Sequence, residues 1–154
     1  GMLAFTGTKR RFEKIGERRG VAFIDDYAHH PAEIAATLAA ARSWYPDRRI
    51  IVVFQPHTYS RTNALLSEFS KSFGDANLVL LTDIYASARE SDTLGLTETT
   101  LVTETAKHHG NVFYTKDKQA VLRMLSKTLE VHDIVIFMGA GDIYNWGREI
   151  YESF

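Results

Sequence analysis

Val21-Ala22-Phe23-Ile24-Asp25-Asp26-Tyr27-Ala28-His29-His30-Pro31-Ala32-Glu33 is the run whose reading decides the fold. It begins as a short apolar strand, stops at two adjacent carboxylates, shows one aromatic ring and two imidazoles, and enters a helix through a proline. Proline costs nothing at the first helical position, because that N–H has no intrahelical partner and the fixed φ suits the helix. Strand, polar loop and helix start make the repeating unit of an open α/β sheet, which takes its ligands at the carboxyl ends of its strands. Asp25 to His30 is therefore the first candidate site.

Upstream of this run, Arg10–Gly16 and Val21–Ile24 are expected to pair as a hairpin through the polar turn Glu17-Arg18-Arg19-Gly20. Residues 1–9 are set apart from the domain: Gly1 before Met2 reads as a tag remnant, and Leu3–Lys9, with Thr6-Gly7-Thr8, as an interdomain lead-in. Downstream, Ile34, Leu38, Ala41 and Tyr45 recur at helical spacing until Pro46. Arg49–Phe54, Leu78–Thr82 and Asp133–Met138 are apolar runs suited to strands covered on both faces, and Val112–Tyr114 is a shorter one. Helices are expected between them: one with Leu65, Leu66, Phe69 and Phe73 inward and Ser60 or Thr62 as cap, and one from Thr97 to about His108. A third should follow Asp117 as cap, and a last one should carry Ile143, Trp146 and Ile150. Strands and helices alternate along nearly the whole chain, which predicts an α/β fold: a doubly wound, mostly parallel sheet with an antiparallel hairpin at its start.

The 154 residues suffice for one domain with a sizeable core. Eighteen basic against nineteen acidic residues leave a net charge of −1, which argues against a broad nucleic-acid or anionic-membrane surface. With no cysteine, disulfides and thiolate metal sites are excluded, and the composition suits a cytoplasmic protein. The apolar runs are strand-sized, so neither a transmembrane helix nor a signal peptide is expected.

Three segments carry polar chemistry. Asp25-Asp26 suits a ribose hydroxyl, a metal or a positive substrate group, and equally a carboxylate at a helix start; Tyr27, His29 and His30 beside it could stack on a base or contact phosphate. Gln55-Pro56-His57-Thr58-Tyr59-Ser60-Arg61-Thr62 follows another strand. Arg61 there offers a planar fork to a carboxylate or phosphate, with His57 and Tyr59 as donors beside it. Gly139-Ala140-Gly141-Asp142 is a fragment of a dinucleotide fingerprint without its third glycine, and a tight turn with Asp142 as N-cap explains it better. Arg10-Arg11 could reach a phosphate or simply be solvated. No His-x-x-x-His pair supports a zinc-protease arrangement, no Gly-x-x-x-x-Gly-Lys-Ser/Thr loop is present, and no Gly-x-Ser-x-Gly elbow is present.

Together, Asp25–Pro31, Phe54–Thr62 and Met138–Ile143 resemble the C-terminal domain of the Mur ligases of peptidoglycan synthesis. The Phe-Gln-Pro-His segment is most similar to the branch that adds L-alanine to UDP-N-acetylmuramate, and Lys9–Glu13 looks like the segment by which these enzymes enter the domain. The resemblance spans essentially the whole chain and implies a Rossmann-like domain over residues 10–154. It implies that the P-loop and most magnesium ligands lie on a central domain, and that ATP, with Mg2+, activates the muramoyl carboxylate as an acyl phosphate for attack by the alanine amine. By the same resemblance Arg11 matches the arginine reaching the ATP phosphates and Asp26 the aspartate near the ribose, while Tyr27, His29 and His30 line the nucleotide side. His57 and Arg61, with Tyr59 beside them, match the grip on the L-alanine carboxylate. Thr58 stands where some members carry a second arginine, a departure from a two-arginine clamp. No catalytic nucleophile and no metal site are expected in this domain alone, and a rigid-body closure about the segment before Arg10 would bring it over the substrates. Two other classes compete with this reading: a stand-alone flavodoxin-like nucleotide-binding module, and a histidine–carboxylate metallohydrolase.

Overall fold

The computed structural model describes residues 10–154; the lead-in Leu3–Lys9 and the residues before it lie outside the described residues. Six strands form one sheet: β1 (Glu13–Arg18), β2 (Val21–Asp26), β3 (Ile50–Phe54), β4 (Leu78–Leu81), β5 (Val112–Tyr114) and β6 (Ile134–Met138). Their order across the sheet is β1-β2-β6-β3-β4-β5, with β1 antiparallel to β2 and every other pair parallel. The expected architecture, a Rossmann-like sheet led by a hairpin, is what the chain adopts. The last strand inserts between β2 and β3, which is not the flavodoxin order.

The hairpin turn is tighter than the four residues expected. Arg18 pairs with Val21, so only Arg19 and Gly20 turn the chain, at φ +53° and +76°. Positive φ at both positions gives the mirror-image turn whose twist matches the strands, and glycine at the second position makes it accessible.

β2, β3, β4 and β6 are buried along their whole lengths, and the pleat sorts their side chains to two cores. Ala22, Ile24, Ile50, Val52, Phe54, Ile134, Ile136 and Met138 face one layer of helices. That layer comprises α1 (Pro31–Trp44), α3 (Leu66–Ser70) and α4 (Thr100–Ala106), which supply Ile34, Leu38, Ala41, Phe69 and Leu101. Val21, Phe23, Ile51, Val53, Val135 and Phe137 face α5 (Lys118–Thr128) and α6 (Ile143–Ser153), which supply Val121, Leu125, Ile143 and Ile150. A fully buried leucine or phenylalanine contributes about 1.5–3 kcal/mol, so the two faces carry the stability.

Three helix starts differ from expectation. The helix after β3 breaks at Leu65 into α2 (Tyr59–Ala64) and α3, and its cap is Thr58, whose hydroxyl accepts from the Arg61 amide at 3.2 Å. Thr58 sits two residues before Ser60 and four before Thr62, where its oxygen faces the orphan amides of the first turn. α4 begins at Thr100 rather than Thr97: residues 97–100 form a separate turn, in which the Thr100 amide donates to the Thr97 carbonyl at 3.2 Å and the Thr97 amide to the Thr100 hydroxyl at 2.8 Å. Asp117 caps α5 as expected, accepting from Ala120 at 3.0 Å, but Asp142 makes no such bond at α6.

Candidate functional site

β2 and β6 are adjacent and parallel, and the chain leaves them toward opposite faces, to α1 and to α6. That divergence opens a crevice at the carboxyl ends of the strands. Asp26, Met138 and Phe54 are in register there, so the loops after β2, β6 and β3 are neighbours.

The two carboxylates of the β2 loop bond chiefly to the chain itself. Asp25, fully buried, takes Arg10 through Nε at 2.7 Å and Nη2 at 3.3 Å. Arg10 also donates to the Gly139 carbonyl at 3.0 Å and lies against the Tyr27 and Tyr144 rings. Asp26 accepts from the Phe12 amide at 2.8 Å, the Ala28 amide at 2.8 Å and the Thr37 hydroxyl at 3.5 Å. Burial raises both carboxyl pKa values, against the pull of Arg10 on Asp25 and of these backbone amides on Asp26. The pair therefore fastens the entry segment Arg10–Phe12 to the crevice floor. Tyr27 and Arg11 remain exposed, and Arg11 lies close enough to favour the ionised forms of Asp26 and Glu33.

His30 is the N-cap of α1: its Nδ1 accepts from Ala32 at 3.3 Å, while Glu33 accepts from the His29 and His30 amides at 3.1 and 3.2 Å. His29 keeps a partly exposed ring edge-on to Tyr27, its Nδ1 at 2.9 Å from the Tyr27 carbonyl.

The glycine turn after β6 is a structural joint. The Gln55 amide nitrogen donates to Asp142 at 2.7 Å, and its Oε1 accepts from the Ile143 amide at 3.2 Å. Gln55, from another strand, thus caps α6 in place of Asp142. A Cβ on Gly141 would stand 2.6 Å from Gln55 Oε1 and 2.7 Å from the Tyr85 ring, so the turn needs glycine for this close approach.

The β3 loop is different. Arg61 Nη1 lies 3.3 Å from His57 Nδ1, its one side-chain bond among the described residues, leaving most of the guanidinium's donors uncommitted. Burial first, then Arg61 and His29, pushes the His57 pKa down, which favours a neutral ring accepting at Nδ1. The ring stacks on Tyr85 at 5.6 Å and 13°. Tyr59 lines a cavity of about 230 Å³ between the β3 and β4 loops, with Pro56, Leu81, Ile84 and Leu101.

The family model described as "Mur ligase, glutamate ligase domain" matches residues 10–141. The chain belongs to the Mur ligase family. It corresponds to the C-terminal domain of the family's ligases. It is 51% identical over 149 residues to the UDP-N-acetylmuramate–L-alanine ligase of Caldanaerobacter subterraneus subsp. tengcongensis, covering 97% of this chain and 32% of that protein. The chain thus spans about a third of the length of the curated relatives it matches. The fold matches the crystal structure of the UDP-N-acetylmuramate–alanine ligase of Thermotoga maritima with TM-score 0.74 and 23% identity, over 94% of this chain and 29% of that one. It also matches a domain of a putative UDP-N-acetylmuramate:L-alanyl-γ-D-glutamyl-meso-diaminopimelate ligase from Haemophilus ducreyi, with TM-score 0.71 and 20% identity. That match covers 93% of this chain and 98% of the other, so there the fold stands as a domain by itself.

The Mur ligase fold brings the expected residues to one end of the sheet in two groups, Asp26, Tyr27, His29 and His30 at the β2 loop with Arg11 of the entry segment near them, and His57, Tyr59 and Arg61 at the β3 loop. It also recruits residues the sequence reading passed over. Arg10, which the sequence left as either a phosphate contact or a solvated cation, is neither: it is consumed by Asp25. Gln55 and Tyr85 pack the crevice floor, and Glu90 accepts from the Tyr59 and Ser60 amides at 2.9 Å each. Glu90 lies in a polar stretch, residues 86–96, that carries no periodic signal. Among the described residues no group of three His, Asp or Glu side chains is placed to hold a metal, and no helix is long and apolar enough to cross a membrane.

Proposed function

We propose that residues 10–154 are the C-terminal, ATP- and amino-acid-binding domain of a ligase that joins L-alanine to UDP-N-acetylmuramate, and that residues 1–9 hold the lead-in from its preceding domains. The observation that carries this reading is the Arg61 guanidinium, braced by a neutral His57 and otherwise uncommitted at the mouth of the crevice. A planar fork of that kind suits a carboxylate, and the L-alanine carboxylate is the anion the family's alanine-adding relatives would bring. Tyr59 stands beside the pair. On the neighbouring loop the exposed Tyr27 ring offers a stacking face, and the exposed Arg11 of the entry segment offers a cation for phosphates. His29 keeps a partly exposed ring there. Asp26 and His30 serve the nucleotide side by fixing this loop, with one Asp26 oxygen retaining a lone pair for a ribose hydroxyl.

The residues present fit the nucleotide better than its metal: the described carboxylates at the crevice are buried or committed to amides, so Mg2+ ligands belong mainly to the central domain. The domain's own contribution is positioning. It holds the amine near the activated muramoyl carboxylate and screens charge, while the chemistry of the acyl phosphate is supplied by bound ATP. Closure as a rigid body about the segment before Arg10 would assemble the site in the cytoplasm, where these substrates occur.

Arg61→Ala in the full-length ligase tests the reading. Loss of a charged fork should raise the KM for L-alanine about 10- to 100-fold with the KM for ATP little changed. An unaltered alanine KM removes Arg61 from the amino-acid site and this reading with it.

A further inference from the structure

The β3 loop turns through Thr58 at φ +67° and ψ 144°. This lies beside a region of backbone space that is essentially reserved for glycine, and threonine is β-branched. Such a conformation persists only where its surroundings over-determine it. On one side the Thr58 amide donates to the Tyr85 carbonyl at 2.9 Å, and the Thr62 hydroxyl donates to the Thr58 carbonyl at 2.8 Å. On the other side stands Glu90, thirty residues on in sequence from Ser60. Its Oε1 accepts from the Tyr59 amide and its Oε2 from the Ser60 amide, both at 2.9 Å, and the Ser87 amide adds a contact to Oε1 at 3.3 Å. The Tyr59 and Ser60 amides belong to the first turn of α2 and have no partner within it. One carboxylate thus satisfies both and fixes the direction in which the chain leaves Thr58. Arg61 is the next residue. The Glu90 loop also begins at Tyr85, on which the His57 ring stacks.

We propose that Glu90 is a positioning residue for the amino-acid site: its carboxylate clips the strained Thr58 turn shut and so aims the Arg61 guanidinium held by His57. The assignment rests on the reading that Arg61 and His57 meet the L-alanine carboxylate. It fits Glu90's chemistry, since a carboxylate offers an acceptor to each amide, whereas a glutamine would offer one oxygen to two donors. Acceptance of backbone amides also lowers the Glu90 pKa, so the clip is ionised and intact at neutral pH.

The test uses the full-length ligase with Glu90→Gln, Glu90→Ala, Thr58→Gly and the Glu90→Ala/Thr58→Gly pair. Glu90→Ala should raise the KM for L-alanine about tenfold, the loss expected when one charged hydrogen-bonding arrangement is disturbed, with kcat and the KM for ATP within about twofold. Glu90→Gln should fall between wild type and alanine. Thr58→Gly lets the turn form without the clip, so in the double variant the alanine KM should return most of the way to wild type. A residue that merely supports the fold would lower kcat and affect both substrates together, and glycine at 58 would not rescue it; either result overturns the assignment. If Arg61→Ala raises the alanine KM while Glu90→Ala does not, the Glu90 role falls and the amino-acid site stands. If Arg61→Ala changes nothing, the site itself is misplaced, and the Glu90 role falls with it.

Discussion

The loops after β2 and β3 leave the same end of the same sheet, and both are crowded with polar side chains, but they use them in opposite ways. In the β2 loop Asp25 is closed on Arg10, Asp26 on two backbone amides and a hydroxyl, and His30 on the first turn of α1. In the β3 loop the backbone is held from outside, by Glu90 and Tyr85, and the Arg61 side chain is left with donors to spare. Buried carboxylates must find partners, because an unpaired one is costly in a dry site, and in this chain Arg10 and Phe12 of the entry segment are among them. An arginine with a free fork at a crevice mouth costs little while water reaches it and becomes strong once a closing partner excludes water. The carboxylate-rich loop therefore anchors, and the cation-bearing loop keeps donors free for the anion proposed for it.

The sharpest way to break this contrast is Asp25→Ala. Removing the carboxylate leaves the Arg10 guanidinium, whose side chain is only 16% exposed, without its ion-pair partner. Breaking such a pair costs roughly 3–5 kcal/mol, and the Tyr27 and Tyr144 rings over Arg10 should hold the loss near 3. The expected outcome in urea unfolding of the chain is an unfolding free energy lowered by that amount, read as a lower midpoint at unchanged slope, with Asp25→Asn losing less because an acceptor remains. A loss of stability under about 0.5 kcal/mol, the ordinary range for surface substitutions, would mean that the first loop is not an anchor at all.

The second loop is probed by pH. Burial and the neighbouring Arg61 and His29 hold the His57 pKa below its usual 6.5. Below pH 6.5 the unfolded chain therefore binds more protons at this residue than the folded one does. Its contribution to stability is complete above that value and is lost as the pH falls through the folded pKa. Protonation also removes the Nδ1 acceptor and sets an imidazolium against Arg61. The alanine KM of the full-length ligase should worsen several-fold, up to about tenfold, as the pH falls from 6.5 through the lowered His57 pKa. His57→Gln, which offers an acceptor without titrating, should flatten that dependence; the same pH profile in both enzymes would assign the effect to another group.

The contrast also marks what was legible in the sequence. Ile50–Phe54, Leu78–Leu81 and Ile134–Met138 read as strands because burial on both faces removes polar residues from the run itself, a local signal. Pro31 and Asp117 announced their helices for the same reason, since caps act within one turn. Joints made across the fold left no such trace. Gln55 reaches Ile143 eighty-eight residues away, and nothing in a strand-end glutamine says that it will cap α6 in place of Asp142. Thr58 carries no mark of a positive φ, because threonine is a poor residue for it, and what holds it there is Glu90, in a stretch with no periodicity. Asp25 and Asp26 were conspicuous as chemistry and ambiguous in role, since a carboxylate looks the same whether it awaits a ligand or an arginine fifteen residues upstream.

The smallest effect gives the finest distinction, within the first loop itself. His30 stands among the residues expected on the nucleotide side, yet its Nδ1 is spent capping α1. Removing a side-chain cap costs about 1 kcal/mol, while asparagine is among the best caps known, so His30→Ala should lower stability by roughly that amount and His30→Asn by no more than a few tenths. Histidine is not a favoured cap, which makes the asparagine variant a separation of two roles: it preserves the first turn and discards the imidazole. The anchoring account predicts that His30→Asn leaves the ATP KM of the full-length ligase as it was, and that His30→Ala disturbs it only through a loosened loop. A raised ATP KM in a fully stable His30→Asn enzyme would move this imidazole from the anchor to the ligand. The boundary between the two kinds of loop would then run through the β2 loop, between Asp26 and His30, and no longer between β2 and β3.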